Sequence, residues 1–185
     1  LLGMGLFSFA VGYCYADGPH PLSKTPTGEF FSGFTMGFVI YLLAVYVNAF
    51  DVMILDWRSV GQVLVASGVL QATTANIMLA NNIADEQEDY ALGRKTILYY
   101  WHRAGAIRLF IGLYWLGIGS MSIAALLGWL PRLTLLTLLS VPLVIKQARL
   151  FIAKPSKTET FIASVKINVI LAGAQLVTMG LGCPF

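Results

Sequence analysis

The sequence predicts an all-α fold, a polytopic transmembrane helical bundle, and three observations carry that prediction. Mean hydropathy is +0.75 and only 11% of residues are charged, against about 25% in soluble domains. Four stretches, 30–48, 59–80, 109–130 and 167–185, are uncharged and 19 to 22 residues long, and about 20 apolar residues suffice to cross the hydrocarbon core as a helix. The basic residues also fall unevenly between alternate connections, as membrane topology requires.

The elements follow in order. Residues 1–15 are apolar, but at 1.5 Å per residue they reach only about 22 Å of a ~30 Å core. They are expected to be the end of a helix that begins outside this chain. With no charged n-region and no cleavage site, they do not read as a signal peptide. The connection 16–29 holds three prolines and two glycines. Asp17-Gly18-Pro19 marks a turn, and Thr25-Pro26-Thr27 a helix entry with Glu29 in its first turn, where a carboxylate is favoured. Helices are expected near 30–48 and 59–80, then beyond an acidic segment near 104–127, 132–152 and 162–183. The uncharged block 133–145 is short, but Lys146 and Arg149 can snorkel, which carries its helix to about Ala153. Gly37, Gly68, Gly112, Gly117, Gly119 and Gly173 are expected at close helix contacts. The aromatic residues of 30–48 and 104–127 are expected mostly to face lipid or the interface.

Alternating spans put loops 16–29, 81–103 and 146–161 on one face, and 49–58 and 128–132 on the other. The first face and its helix ends hold Lys24, Arg94, Lys95, Arg103, Arg108, Lys146, Arg149, Lys154, Lys157 and Lys166; the second holds only Arg58 and Arg132. Ten against two predicts a multi-pass protein of the cell membrane with the first face cytoplasmic. The net charge of +3 is therefore a matter of topology. No basic patch interleaved with aromatics and no glycine-rich phosphate loop occurs, so no nucleic-acid partner is expected. Cys14 and Cys183 fall near opposite faces, which excludes a disulfide between them. His20 and His102 are isolated and read as ordinary interfacial histidines.

The segment Asn81-Asn82-Ile83-Ala84-Asp85-Glu86-Gln87-Glu88-Asp89 holds four of the nine acidic residues. Asn81, Asp85 and Asp89 are spaced i, i+4, i+8, so a continuing helix stacks them on one face, where like charges repel. A cation between them removes that penalty, and hard oxygen ligands suit Mg²⁺. The plainer reading is a solvated acidic loop. Its position at the end of a span, with Arg94 and Lys95 just beyond Asp89, favours a site: basic clamps with Mg²⁺ stabilise a departing phosphate group. A transporter would more often hold its carboxylates near the bilayer midplane.

The run Asn81 through Asp89, continued by Tyr90-Ala91-Leu92-Gly93-Arg94-Lys95-Thr96, resembles the second aspartate-rich motif of the UbiA-type superfamily of intramembrane prenyltransferases. Tyr15-Ala16-Asp17-Gly18-Pro19-His20-Pro21-Leu22 and Thr25-Pro26-Thr27-Gly28-Glu29 are similar to the loop of its branch acting on 1,4-dihydroxy-2-naphthoate in menaquinone synthesis. Two departures stand out. The family's basic element usually reads Gly-Lys-Arg-Thr, whereas Arg94 and Lys95 are exchanged here and followed by Tyr99-Tyr100-Trp101. The family's first aspartate motif has no counterpart.

The resemblance implies one transmembrane prenyltransferase domain over 1–185, similar to helices four to nine of nine, with the N-terminal helices missing and the 185 residues inactive alone. It implies transfer of a polyprenyl group from polyprenyl diphosphate to an aromatic acceptor by Mg²⁺-assisted ionisation to an allylic cation and attack by a ring carbon. Asp85 and Asp89 would bind the metal and serve as the catalytic pair. Asn81, Asn82, Arg94 and Lys95 would hold the diphosphate, and Tyr15 and Lys24 would contact substrate, the Tyr15 ring shielding the cation. The lipid bilayer is the remaining partner. Another acceptor, 4-hydroxybenzoate or haem, is the alternative within the family; a transporter or scaffold fragment is the alternative outside it.

Overall fold

The computed structural model describes residues 2–18 and 20–183; Leu1, Pro19, Pro184 and Phe185 lie outside it, and with Pro19 the last residue of the turn expected at Asp17-Gly18-Pro19. The chain is 81% helical, and no strand occurs among the described residues. Helix α1 is Leu2–Ala16, α2 Gly28–Ala49, α3 Trp57–Ala66, α4 Gly68–Ala84, α5 Glu86–Ala91, α6 Ile97–Leu126, α7 Arg132–Ala153 and α8 Phe161–Gly182. Four of these, α2, α6, α7 and α8, are long and apolar enough to cross a membrane, and α3 with α4, bent where they meet, passes the same test only as a pair. The all-α membrane bundle expected from composition is what forms.

Helix α4 is the centre of the bundle. It packs against α2, α6 and α8, while α7 lies on α8. Leu79, Ile83, Phe110, Met121, Phe151 and Ile167 are fully buried between these helices. Asn76 of α4 donates to the Phe110 carbonyl at 2.9 Å, tying α4 to α6. Outward residues are large and apolar, with Leu139, Leu176 and Trp57 more than 70% exposed. In lipid this surface needs no cover, and helix association rests on close packing.

That packing uses glycine selectively. A Cβ on Gly37 would collide with the backbone of Gln71, and one on Gly117 would sit 2.7 Å from Ala72 Cβ and 2.9 Å from the Gly68 carbonyl. Gly37, Gly68 and Gly117 therefore set the approach of α2 and α6 to α4, as expected. Gly112, Gly119 and Gly173 do not, because a Cβ there meets nothing within 4 Å. They lie on helix sides turned away from a neighbour, which the bare presence of glycine in a span cannot reveal.

The span expected over 59–80 is broken. α3 and α4 meet at Ser67 with a bend of 57°, which frees carbonyls at membrane depth, where each needs a donor. Gln71 Nε2 reaches Leu64 O at 2.8 Å, Ser120 Oγ reaches Val65 O at 2.6 Å and Gln175 Nε2 reaches Ala66 O at 3.3 Å. Donors from α4, α6 and α8 thus hold the bend. Two further irregularities lie elsewhere in the bundle. Gly33–Val39 of α2 is wound as a π-helix where it faces Gln71, and α6 is interrupted at His102 (φ 54°).

Candidate active site

The acidic segment lies where α4 ends. Asp85 closes α4 and opens α5, yet Asp85 N–H bonds to Asn81 O and Asp89 N–H to Asp85 O, each at 2.9 Å. The i+4 pitch is therefore preserved across the break, and Asp85 and Asp89 are both buried, 8% and 3% exposed. Repulsion between them is relieved by two ion pairs. Gly93 takes φ 67° and turns the chain back, so that Arg94 N–H bonds to Asp89 O at 2.9 Å and Arg94 Nη1 to Asp89 Oδ1 at 3.0 Å. Only glycine adopts that φ freely. Lys157, from the connection between α7 and α8, donates to Asp85 Oδ2.

The connection 17–27 joins the same end. Lys95 N–H donates to the Lys24 carbonyl at 3.1 Å, linking it to the turn after α5. The helix entry at 25–27 delivers Glu29 into the bundle, 4% exposed, where its Oε1 accepts from Asn82 Nδ2 at 2.8 Å. Glu29 also lies within electrostatic reach of Asp89 and of Tyr15. The loops expected to share a face with the acidic segment do meet it.

The structure divides the expected residues. Asp85, Asp89, Asn82 and Arg94 converge. Tyr15 is half-buried beside them, its hydroxyl without a hydrogen-bond partner. Asn81 is half-buried and makes no side-chain hydrogen bond among the described residues; helix rotation turns its neighbour Asn82 fully inward instead. Lys95 is exposed with its ammonium 5.7 Å from the centre of the Tyr99 ring, and Lys24 is exposed. Position 94 is thus the one turned toward the acids, so the Arg94–Lys95 exchange puts a guanidinium there. Glu29 and Lys157 were not among the expected site residues. Glu29 carried a faint signal, a carboxylate in a span's first turn. Lys157 carried none, because its partner is 72 residues away.

Burial and neighbouring charges set the electrostatics of this end of the bundle. Burial pushes the Asp89 carboxyl up from its usual range, opposed by Arg94 and reinforced by Asp85 and Glu88. The hydrogen bond to Asp85 holds the Lys157 ammonium above its ordinary value. Asp89 Oδ2 and Glu29 Oε2 are buried oxygens with no hydrogen-bond partner, a costly state in a low dielectric. Asp89 Oδ2, a hard oxygen next to the Asp85 carboxylate, fits Mg²⁺ by type. Among the described residues no three His, Cys, Asp or Glu side chains are grouped closely enough to hold a metal, so Asp85 and Asp89 would leave most of its coordination positions to substrate oxygens, water and any further ligand.

Glu29 also lines a cavity of about 720 Å³ that runs between α2, α3, α4 and α6. Its walls are almost wholly apolar, with Phe30, Phe34, Trp101 and Leu113 among them. Phe30 and Phe34 belong to a span whose rings were expected mostly to face lipid or the interface; Phe30 and Trp101 are more than half exposed, at the rim of this groove. The π-helical turn of α2 and the break at His102 flank the groove on either side. A charged cluster beside a lateral apolar groove can accommodate a molecule with a charged head and an apolar tail.

No solved structure matches this chain. It is 36% identical over 106 residues to 1,4-dihydroxy-2-naphthoate octaprenyltransferase of Bacillus subtilis (strain 168), an alignment that takes in 57% of this chain and 32% of that enzyme. The sequence model of the UbiA prenyltransferase family matches residues 1–170. With most of its length inside that match and its acids, basic turn and helix order arranged as described, the chain belongs to the UbiA prenyltransferase family.

Proposed function

We propose that this protein transfers a polyprenyl group from polyprenyl diphosphate to an aromatic quinone precursor, 1,4-dihydroxy-2-naphthoate, as a step of menaquinone synthesis in the cell membrane. The observation that carries the reading is the buried pair Asp85 and Asp89, with Asp89 in electrostatic reach of Glu29, which lines a 720 Å³ apolar groove. Family membership and the name of the Bacillus subtilis relative support it.

The prenyl tail would lie in the groove, where each buried methylene contributes about 0.8 kcal/mol, with its diphosphate against the head site. Bound Mg²⁺, held by Asp85 and Asp89, would neutralise the charge that builds on the departing diphosphate. Arg94 and Lys157, now on the two aspartates, would turn to the diphosphate oxygens once those carboxylates engage the cation. Asn82 orients Glu29, and Lys95 and Lys24 supply positive charge at the rim. Phe30 and Trp101 line the groove near its head, where ring faces attract an allylic cation. Exposed basic residues at this end support a cytoplasmic orientation of the acidic motif.

The test is prenyl transfer by the purified full-length protein in lipid nanodiscs, given a polyprenyl diphosphate, Mg²⁺ and one acceptor at a time. Prenylated product and diphosphate release with dihydroxynaphthoate, abolished by a chelator, are the expected result. Product only with 4-hydroxybenzoate would move the acceptor. Absence of diphosphate release with every aromatic acceptor would overturn the reading.

A further inference from the structure

Glu29 stands out among the buried polar groups because nothing in the fold explains its charge. It sits at the start of a membrane span, 4% exposed, and among the described residues no basic side chain pairs with it. Its hydrogen bond from Asn82 engages Oε1 at 2.8 Å, a bond that an uncharged glutamine oxygen could also accept. Oε2 is buried with no partner. An unsatisfied buried carboxylate oxygen carries a desolvation penalty that a purely structural residue would not retain.

The cation assigned to Asp85 and Asp89 is not the missing partner, because among the described residues Glu29, Asp85 and Asp89 are not grouped closely enough to share one. A neutral hydrogen-bond donor is a good candidate. Glu29 lines the groove on a wall that continues through Phe30 and Phe34, and Trp101 lines the same cavity. Phe30 and Phe34 are stacked, their ring centres 5.7 Å apart and their planes 15° apart. Flat apolar walls beside one strong acceptor suit a planar ring that carries a hydroxyl. A second unpartnered polar atom, the Tyr15 hydroxyl, is buried within electrostatic reach of the same carboxylate.

We propose that Glu29 is the acceptor-recognition residue, its free carboxylate oxygen taking a hydrogen bond from a ring hydroxyl of the aromatic substrate, with Asn82 positioning it from the other oxygen. The assignment rests on the transfer reaction proposed above and adds the residue that selects its acceptor. A hydroxyl donating to a buried carboxylate is also polarised toward phenolate, which raises electron density on the ring carbons beside it. A site of this kind rejects an analogue without the hydroxyl, because the buried oxygen is then left unpaired.

The experiment measures binding of dihydroxynaphthoate, 4-hydroxybenzoate and the methyl ether of each to the purified protein in nanodiscs, by quenching of tryptophan fluorescence. Mn²⁺ binding by paramagnetic resonance and binding of a polyprenyl diphosphate are recorded alongside. The wild type should prefer the hydroxyl form of its acceptor over the ether by at least about tenfold. Glu29→Gln should weaken the hydroxyl form by about 10- to 100-fold, the scale of a hydrogen bond to a charged group, and leave the ether, Mn²⁺ and diphosphate unchanged. The wild-type comparison needs no variant to fold: equal binding of hydroxyl form and ether overturns the proposal. So does an unchanged acceptor affinity in Glu29→Gln, or a loss of Mn²⁺ that parallels it. Should the preference and its loss appear with 4-hydroxybenzoate alone, the role of Glu29 stands and the naphthoate assignment fails.

Discussion

Replacing Asp85 by Asn separates what this residue does for the fold from what it does for the reaction. Its partner in the structure is Lys157, whose side chain is 56% exposed while that of Asp85 is 8% exposed. A pair with one end in solvent is screened, so it contributes about 0.2–1 kcal/mol to stability. No apolar contact is lost, because the amide has the shape of the carboxylate. Folded stability should therefore fall by about 1 kcal/mol or less. Turnover is governed by a different quantity, the fixed charge aimed at the departing diphosphate, and removing one preorganised electrostatic contact costs about 10²- to 10³-fold. Asp89→Asn should show the same split, with still less effect on stability, because burial already disfavours the Asp89 anion. The assay is diphosphate release at saturating prenyl diphosphate, run beside a thermal melt of the same preparation. Full turnover in both variants, or a loss that merely tracks the fraction unfolded, would refute the assignment of these carboxylates to the reaction.

Two further outcomes follow from the packing and the topology. Gly37→Ala should destabilise the protein by about 1–3 kcal/mol, as overpacking of a close contact does, because its Cβ falls on the Gln71 backbone. Gly112→Ala, with open space at its Cβ, should leave the melting temperature unchanged or slightly raised; a matched pair of thermal melts checks both. Gln87 is exposed on the short helix α5. In a background without Cys14 and Cys183, Gln87→Cys should resist an impermeant thiol reagent added outside sealed right-side-out vesicles and react once they are opened. Prompt labelling from outside would invert the orientation.

What the sequence determined by itself was everything that depends on local chemistry. Uncharged runs near 20 residues became spans because a bilayer admits little else. The spacing of Asn81, Asp85 and Asp89 survived as helical pitch, and Gly93-Arg94 became the turn that returns a guanidinium to Asp89, since both are set within one or two helical turns. Contacts between distant segments were beyond its reach. Rotation of α4 decided that Asn82 and not Asn81 faces inward, and only the approach of α2 brought Glu29 to it across 53 residues. Gly37 and Gly112 look alike in a hydrophobic run; which one a neighbour presses against depends on the helix that arrives. The bend at Ser67 was equally invisible, because it is held by donors from Gln71, Ser120 and Gln175, the last 109 residues from its acceptor. Lys157 could reach Asp85 only once α7 and α8 had carried its loop back to the head of the groove. The acids were legible because a helix repeats locally; their surroundings were not, because tertiary packing alone decides which side chains share a buried space.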